Sequence, residues 1–300
     1  MNALPVIAAV DGSDDSLRAL DWAADDARRR GAALRVVHVR QYAAWTQPGV
    51  LVAGLPEADD DPVLVEVRGH LDDRADLPST EYVALEGVSA AVLPELGTSA
   101  QLLVLGSRGR GGFASLLLGS NGMAAARDAE CPVVVVPRPG REVHDELPAE
   151  PGPRVVVGLQ VDSPDEATLS FAFAEAALRG ARLQVIAAYA WPVQTWATAG
   201  ELVPPAMDQD VIENETWTLA EGFLAPYRAE HPDVRADALA APGDAAGHLV
   251  AASKDADLVV VGRHRRRLLA PARMLGSVTQ AVLLHAASPV AVVPPAAGEV

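Results

Sequence analysis

Three glycines and a serine at fixed spacing carry the clearest chemical signal in the chain. Gly106-Ser107-Arg108-Gly109 is followed, after nine further residues, by Gly119-Ser120. The loop comes straight after an apolar run, Leu102-Leu103-Val104-Leu105, that reads as a buried strand. Closely spaced glycines let the backbone turn sharply and bring its N–H groups up to a ligand. From Asn121 to Ala129 the pattern is helical. The first N–H groups of a helix lack intrahelical partners and carry partial positive charge, so a helix start behind a glycine loop suits an anion. Strand, loop and helix start together can hold phosphates without a lysine.

Charge sharpens that reading. The chain has 24 Lys and Arg against 40 Asp and Glu, a net charge of −16. Such a balance opposes nucleic acid as a partner. It also repels a nucleotide at long range, so a phosphate site must rest on backbone donors and on nearby arginines, here Arg108 and Arg110. The single lysine, Lys254, lies outside the loop, and no Gly-Lys pair occurs, which argues against a Walker-type NTPase.

The elements that must position this loop alternate between short continuous apolar runs and helical patterns. Continuous hydrophobicity indicates strands buried on both faces, as in a parallel sheet. Val6–Val10 reads as strand one. Ser13 is placed to cap the next helix, with Asp14 and Asp15 at its positive end. Leu17, Leu20, Ala24 and Ala27 fall on one face of that helix, and Asp25 with Arg29 and Asp26 with Arg30 make i,i+4 pairs on the other. Gly31 is the expected helix stop. Leu34–Val39, Tyr82–Leu85, Gln101–Leu105 and Pro132–Pro137 complete five strands, with helices expected near 62–74 and 88–97, the latter disturbed by Pro94. Prolines at both ends of the fifth run suit an edge or terminal strand. In a doubly wound sheet a ligand sits beyond the strand C-termini at the switch point, which gathers Asp11, Val39 and Gly106 around one crevice.

The pattern then repeats. Val6 corresponds to Val155, Trp22 to Phe171 and Gly31 to Gly180 at one offset, and Gly106 corresponds to Gly262, Gly119-Ser120 to Gly276-Ser277 and Pro132 to Pro289 at slightly larger ones. The chain is therefore a tandem duplication: residues 1–140, a polar Pro-rich linker at 141–152, and residues 153–300.

The spacing G-x2-G-x9-G-[ST], met by Gly106, Gly109, Gly119 and Ser120, resembles that of the ATP-binding members of the universal stress protein family. So does Ala9-Val10-Asp11-Gly12-Ser13 after the first strand. The resemblance implies an α/β fold: two doubly wound domains, each a five-stranded parallel sheet of order 3-2-1-4-5 with helices on both faces, pairing through their last strands within one chain, and a homodimer of such chains. It also implies ATP as ligand, with Mg²⁺ held mainly through the phosphates. Asp11, with Ala9 and Val10, would face the adenosine part, and the Val39 backbone would meet adenine. Gly106, Ser107, Arg108, Gly109, Gly119, Ser120 and Asn121 would surround the phosphates.

The second copy departs from that pattern. Gln160 stands where the first has Asp11, Arg265 where it has Gly109, and the gap to Gly276 is one residue longer. Gly262, Arg263, Gly276, Ser277 and Val278 remain as a partial site, and the second copy is expected to be structural or regulatory. The basic run Arg263–Arg267 reads as a solvated loop or as a site for another anion or an acidic partner.

Other features carry less. Glu57-Ala58-Asp59-Asp60-Asp61 reads as a solvated loop and helix start in preference to a metal site. The histidines show no metal-ligand spacing. Cys131, the one cysteine, reads as a buried small residue and fits a reducing cytoplasm. No apolar run approaches the roughly 20 residues of a membrane span, and the first residues do not read as a signal peptide. No nucleophile or general base is placed beside the phosphates, so at most slow hydrolysis is expected. The expected role is a nucleotide-dependent regulator or stress-survival factor with a protein partner. Two other readings stay open: a weak ATPase or adenylyl-transferring enzyme, and a nucleotide-free interaction module.

Overall fold

A computed structural model describes residues 4–40, 58–109, 117–143, 151–190, 208–263 and 274–296. Its ten strands form one sheet of order β3-β2-β1-β4-β5-β10-β9-β6-β7-β8. The first half supplies β1 (Val6–Val10), β2 (Leu34–Arg40), β3 (Thr80–Glu86), β4 (Leu102–Gly106) and β5 (Val133–Val136). The second supplies β6 (Arg154–Gly158), β7 (Arg182–Tyr189), β8 (Ala236–Pro242), β9 (Leu258–Gly262) and β10 (Val290–Val293). Within each half all pairings are parallel and the order is 3-2-1-4-5, as expected.

The halves meet where β10 pairs antiparallel with β5, with Val290 opposite Val135 and Val292 opposite Val133. The two domains expected from the sequence therefore share one continuous sheet. The prolines around β5 do not mark an edge of the whole sheet: Pro132 and Pro137 lie just outside a four-residue pairing and so cost it no ladder hydrogen bond.

Side-chain alternation along these strands feeds two layers. Val6, Ala8 and Val10 point into one apolar layer with α1 (Asp14–Arg30), α2 (Pro62–Leu71), α5 (Glu166–Arg179) and α6 (Gln209–Glu230). Ile7 points into the other, with α3 (Ser89–Glu95), α4 (Ser120–Asp128), α7 (Ala245–Ala252) and α8 (Ser277–His285). Both layers run across the seam, so neither half has a core wholly its own.

Helix α1 starts and stops as read. Ser13 is its N-cap and accepts from Ser16 N–H, and Gly31 closes it at φ +60°. Of its two expected polar pairs, Asp26 with Arg30 is present, and Asp25 turns to another partner. Asp25 bonds Arg74, and Asp26 is fully buried. Arg30 Nε donates to Asp26 Oδ2 at 2.5 Å, and Arg179 of α5 donates to Asp26 Oδ1 at 2.7 Å. Arg30 and Arg179 both also bond Glu175 of α5. Asp26 and Glu175 occupy equivalent positions in the two copies, as do Arg30 and Arg179. The supposed surface pair is half of a two-fold quartet that closes the seam on the α1/α5 face.

The acidic run resolves into a clamp. Asp61 is buried and caps α2 through Val63 and Leu64 N–H, while its second oxygen accepts from His38 Nδ1 at 2.8 Å and Arg40 Nε at 2.7 Å. Asp59 pairs with Arg68. Asp61 is thus at the helix start the sequence indicated, but it is buried as a tie between α2 and β2 and not solvated.

Candidate functional site

The glycines of the first loop are required by crowding, since neither Gly106 nor Gly109 has a positive φ. A Cβ on Gly106 would lie 2.5 Å from the backbone oxygen of Asp15, so glycine is what lets β4 press against the start of α1. A Cβ on Gly109 would lie 2.3 Å from Asp11 Oδ2. The loop and the carboxylate that ends β1 therefore approach as closely as a glycine allows. The other Asp11 oxygen accepts from Ser13 N–H at 3.0 Å and from the Ser13 hydroxyl at 2.6 Å. Gly12, at φ +73°, makes the turn between them, a conformation that favours glycine.

The loop is anchored at its next residue. Ser107 is completely buried; its N–H donates to Val136 O, its hydroxyl to Asp15 Oδ2 at 3.0 Å, and its carbonyl accepts from Gly119 N–H at 2.8 Å. That last bond sets the α4 start beside the loop. Gly119 is the N-cap and has no side chain to satisfy the orphan N–H groups of the first turn, so Ser120 and Asn121 begin the helix with those donors open. Asp15 is 3% exposed and gathers arginines as well: Arg18 bonds it, and Arg138 Nε lies 3.6 Å away. Arg141 lies close enough to Arg108 for the like charge to count. Its pKa falls, first through burial and then through the Arg108 charge, with Asp15 opposing.

The structure thus brings together Asp11, Gly106, Ser107, Arg108, Gly109, Gly119, Ser120 and Asn121. Ala9 and Val10 lie on β1 directly before Asp11, and Val39 is buried near the C-terminal end of neighbouring β2. Arg110 lies outside the described residues. Arg18, Arg138 and Arg141 were not singled out by sequence, and Asp15 was read only as a helix-start acid, because only the folded loop brings them together near Ser107 and Arg108. Among the described residues, no group of three or more His, Cys, Asp or Glu is arranged to hold a metal ion, and no helix is long and apolar enough to cross a membrane.

The second half builds the corresponding place differently. Helix α5 begins only at Glu166, capped by Asp165, so the segment after β6 is longer than Asp11–Ser13. Gln160 is exposed in that segment. A Cβ on Gly262 would meet Asp165 Oδ2 and Thr168 Oγ1 at 2.8 Å, so the close approach of strand and helix is kept. Gly276 caps α8, Ser277 and Val278 open it, and the Thr279 hydroxyl donates to Gly262 O at 2.8 Å. Arg263, in the place of Ser107, turns across the seam instead: its Nη1 donates to Arg127 O at 2.9 Å and Ala129 O at 2.6 Å in the first half. Arg265 lies outside the described residues.

The profile of the universal stress protein family matches residues 4–137 and again 153–294, covering both halves and omitting the linker. The chain belongs to the universal stress protein family. Universal stress protein Rv2005c of Mycobacterium tuberculosis is 34% identical over 300 residues, spanning 96% of each chain. Universal stress protein Rv2623 of the same organism is 30% identical over 306 residues, spanning 97% of this chain and 96% of its own. Among solved structures, a universal stress protein from Archaeoglobus fulgidus aligns over 97% of this chain and 98% of its own with a TM-score of 0.62 at 17% identity, which establishes the fold alone. This is accordingly a tandem universal stress protein, with two family domains fused into one sheet.

Proposed function

We propose that this tandem universal stress protein binds ATP in its first half and works as a nucleotide-dependent regulator or stress-survival factor. One observation carries the reading: a Cβ on Gly109 would lie 2.3 Å from Asp11 Oδ2 and would have to displace that carboxylate, while Ser107 O holds Gly119 N–H, so three chain segments converge on one crevice. A glycine cradle beside open helix N–H groups fits a polyphosphate. Asp11, with Ala9 and Val10, would take the ribose side, its carboxylate accepting from hydroxyl groups. The Val39 backbone would meet adenine. The N–H groups of Gly109, Ser120 and Asn121 would receive phosphate oxygens, with Arg108 as a charged donor, while Gly106, Ser107 and Gly119, whose N–H is held by Ser107 O, would shape the cradle around them. Mg²⁺, when bound with the nucleotide, would neutralise phosphate charge and be held mainly by the phosphates themselves. The second half, lacking the Asp11 and Gly109 equivalents, serves a structural or regulatory role.

The test is nucleotide released on denaturing freshly purified protein, followed by titration calorimetry with Mg-ATP on the wild-type chain and on Gly109→Arg, which copies the second half. We expect about one ATP per chain and loss of binding in Gly109→Arg with an unchanged circular dichroism spectrum. Unchanged affinity in that variant would refute the site. No ATP bound by the wild-type chain would move the reading to an interaction module.

A further inference from the structure

The helix that would meet the phosphates is held at both ends by arginines engaged at the seam. Before its start, Leu117 O accepts from Arg141 Nη2 at 2.7 Å. Past its end, Arg127 O and Ala129 O accept from Arg263 Nη1 of the second half. Arg141 has a second attachment: its Nη1 donates to Ala286 O at 3.0 Å and Leu283 O at 3.3 Å, the closing carbonyls of α8. The C-terminal carbonyls of α4 and of its equivalent α8 therefore each receive a guanidinium from outside their own half, Arg263 from the second half and Arg141 from the start of the linker. The Arg141 guanidinium also grips the lead-in to Gly119.

From this geometry we infer that Arg141 and Arg263 are positioning residues that make the first-half phosphate site depend on the seam. The inference rests on the ATP reading above. A cation at a helix C-terminus stabilises the helix and holds the last turn against fraying, which keeps the N-terminal donors in place for an anion. Arg263 does this for α4 from a loop that no longer carries the glycine pattern of its own. Arg141 fixes the segment that aims Gly119 N–H at Ser107 O, and transmits any shift of that segment to α8. An anion settling beside Arg108 also relieves the like-charge field that Arg141 feels. Because coupling is reciprocal, ATP must in turn strengthen the hold on α8, a helix placed in the other half from the nucleotide.

The experiment uses the full chain. Mg-ATP affinity is measured by calorimetry, well below the unfolding transition, for wild type, Arg141→Ala, Arg263→Ala and Arg263→Lys. Hydrogen exchange of the α8 amides is followed with and without ATP. We expect each alanine variant to bind about fivefold more weakly, the size of one helix-terminus charge interaction, with partial recovery in Arg263→Lys. ATP should slow exchange in the last turn of α8 in wild type and fail to do so in Arg141→Ala. A purely structural role would lower the melting temperature while leaving both the affinity and that protection as in wild type, and such a result overturns the coupling alone. Absence of ATP binding by the wild-type chain overturns the nucleotide reading and the coupling with it.

Discussion

Breaking the quartet at the seam by Asp26→Ala should be among the most damaging single changes available outside the apolar core. Asp26 is 0% and Glu175 1% exposed, and the two arginines Arg30 and Arg179 are shared between them, so two charges of each sign balance in a dry site. Burial draws the Glu175 pKa upward, and the two guanidiniums oppose that pull. Removing Asp26 leaves two guanidiniums to one carboxylate. Cutting one partner from a buried pair costs about 3–5 kcal/mol, because the remaining charge is neither solvated nor neutralised. A domain's whole stability is only about 5–15 kcal/mol.

The second substitution decides whether burial or mere contact is responsible. Arg179→Ala on top of Asp26→Ala restores neutrality, leaving Arg30 with Glu175. The double variant should then be no less stable than Asp26→Ala alone, a coupling at or above the upper end of the roughly 0.5–3 kcal/mol found for contacting residues. Urea unfolding followed by circular dichroism and tryptophan emission gives these values. Trp22 supplies a local probe, since the Arg179 guanidinium carbon lies 5.3 Å from its ring centroid. A cost under about 1 kcal/mol for Asp26→Ala, or simple addition of the two single effects, would show the quartet behaving as exposed pairs do and would refute the argument.

Two further outcomes are expected. Burial alone would raise the Asp61 carboxyl, but the hydrogen bonds from Arg40, His38 and Leu64 N–H outweigh it and hold its pKa at about 2, below the model-compound 3.8. A folded-state pKa below the unfolded one stabilises at pH above the unfolded value and is lost as pH falls through the folded one, so up to about 2 kcal/mol should disappear between roughly pH 4 and pH 2. In Asp61→Asn the acid limb of a stability–pH curve should be correspondingly flatter; an identical limb would contradict the clamp. Burial pushes the Cys131 thiol up to about 12. A thiol-disulfide reagent should therefore find one reactive thiol per chain in denaturant and almost none in the native protein, and rapid native labelling would show that β5 opens at its start.

Much of this molecule was legible because its signals are local and repeated. Continuous apolar runs located the strands to within a residue or two, and Ser13 and Gly31 bounded α1 because caps depend only on the neighbouring backbone. The glycine spacing marked a tight loop, and the fold adds a reason that the spacing does not show: Cβ atoms on Gly106 and Gly109 would press on the Asp15 backbone and the Asp11 carboxylate. What stayed hidden lies across the fold. Asp26 and Arg30 satisfy the i,i+4 rule of a solvated helix face, and nothing in that spacing reveals a second helix bearing the same pair opposite. Asp61 sits in a run of acids whose composition suggests water, yet it is buried and bonds His38 and Arg40 of β2. Helix α5 begins later than its counterpart, with Asp165 as its cap, a detail that the aligned glycines conceal.

One aligned position shows how two copies of a loop came to serve one another. Ser107 and Arg263 both follow the last residue of a fourth strand. Ser107 is small enough to be enclosed completely and to donate into Asp15, which fixes the loop against its own first helix. An arginine there would have to bury a long cationic chain in a space that already holds the backbone of Asp15 against Gly106. In the second half Asp165 and Thr168 bond each other beside Gly262, and the side chain at 263 is directed elsewhere. The direction open to it is across the seam, where α4 presents carbonyls that no residue of its own helix can satisfy. The antiparallel β5–β10 pairing sets the two halves in the orientation at which that reach succeeds. Arg141 reaches α8 from a different place, the linker that follows β5, so α4 and α8 each end against an arginine from outside their own half although the two arginines are not counterparts.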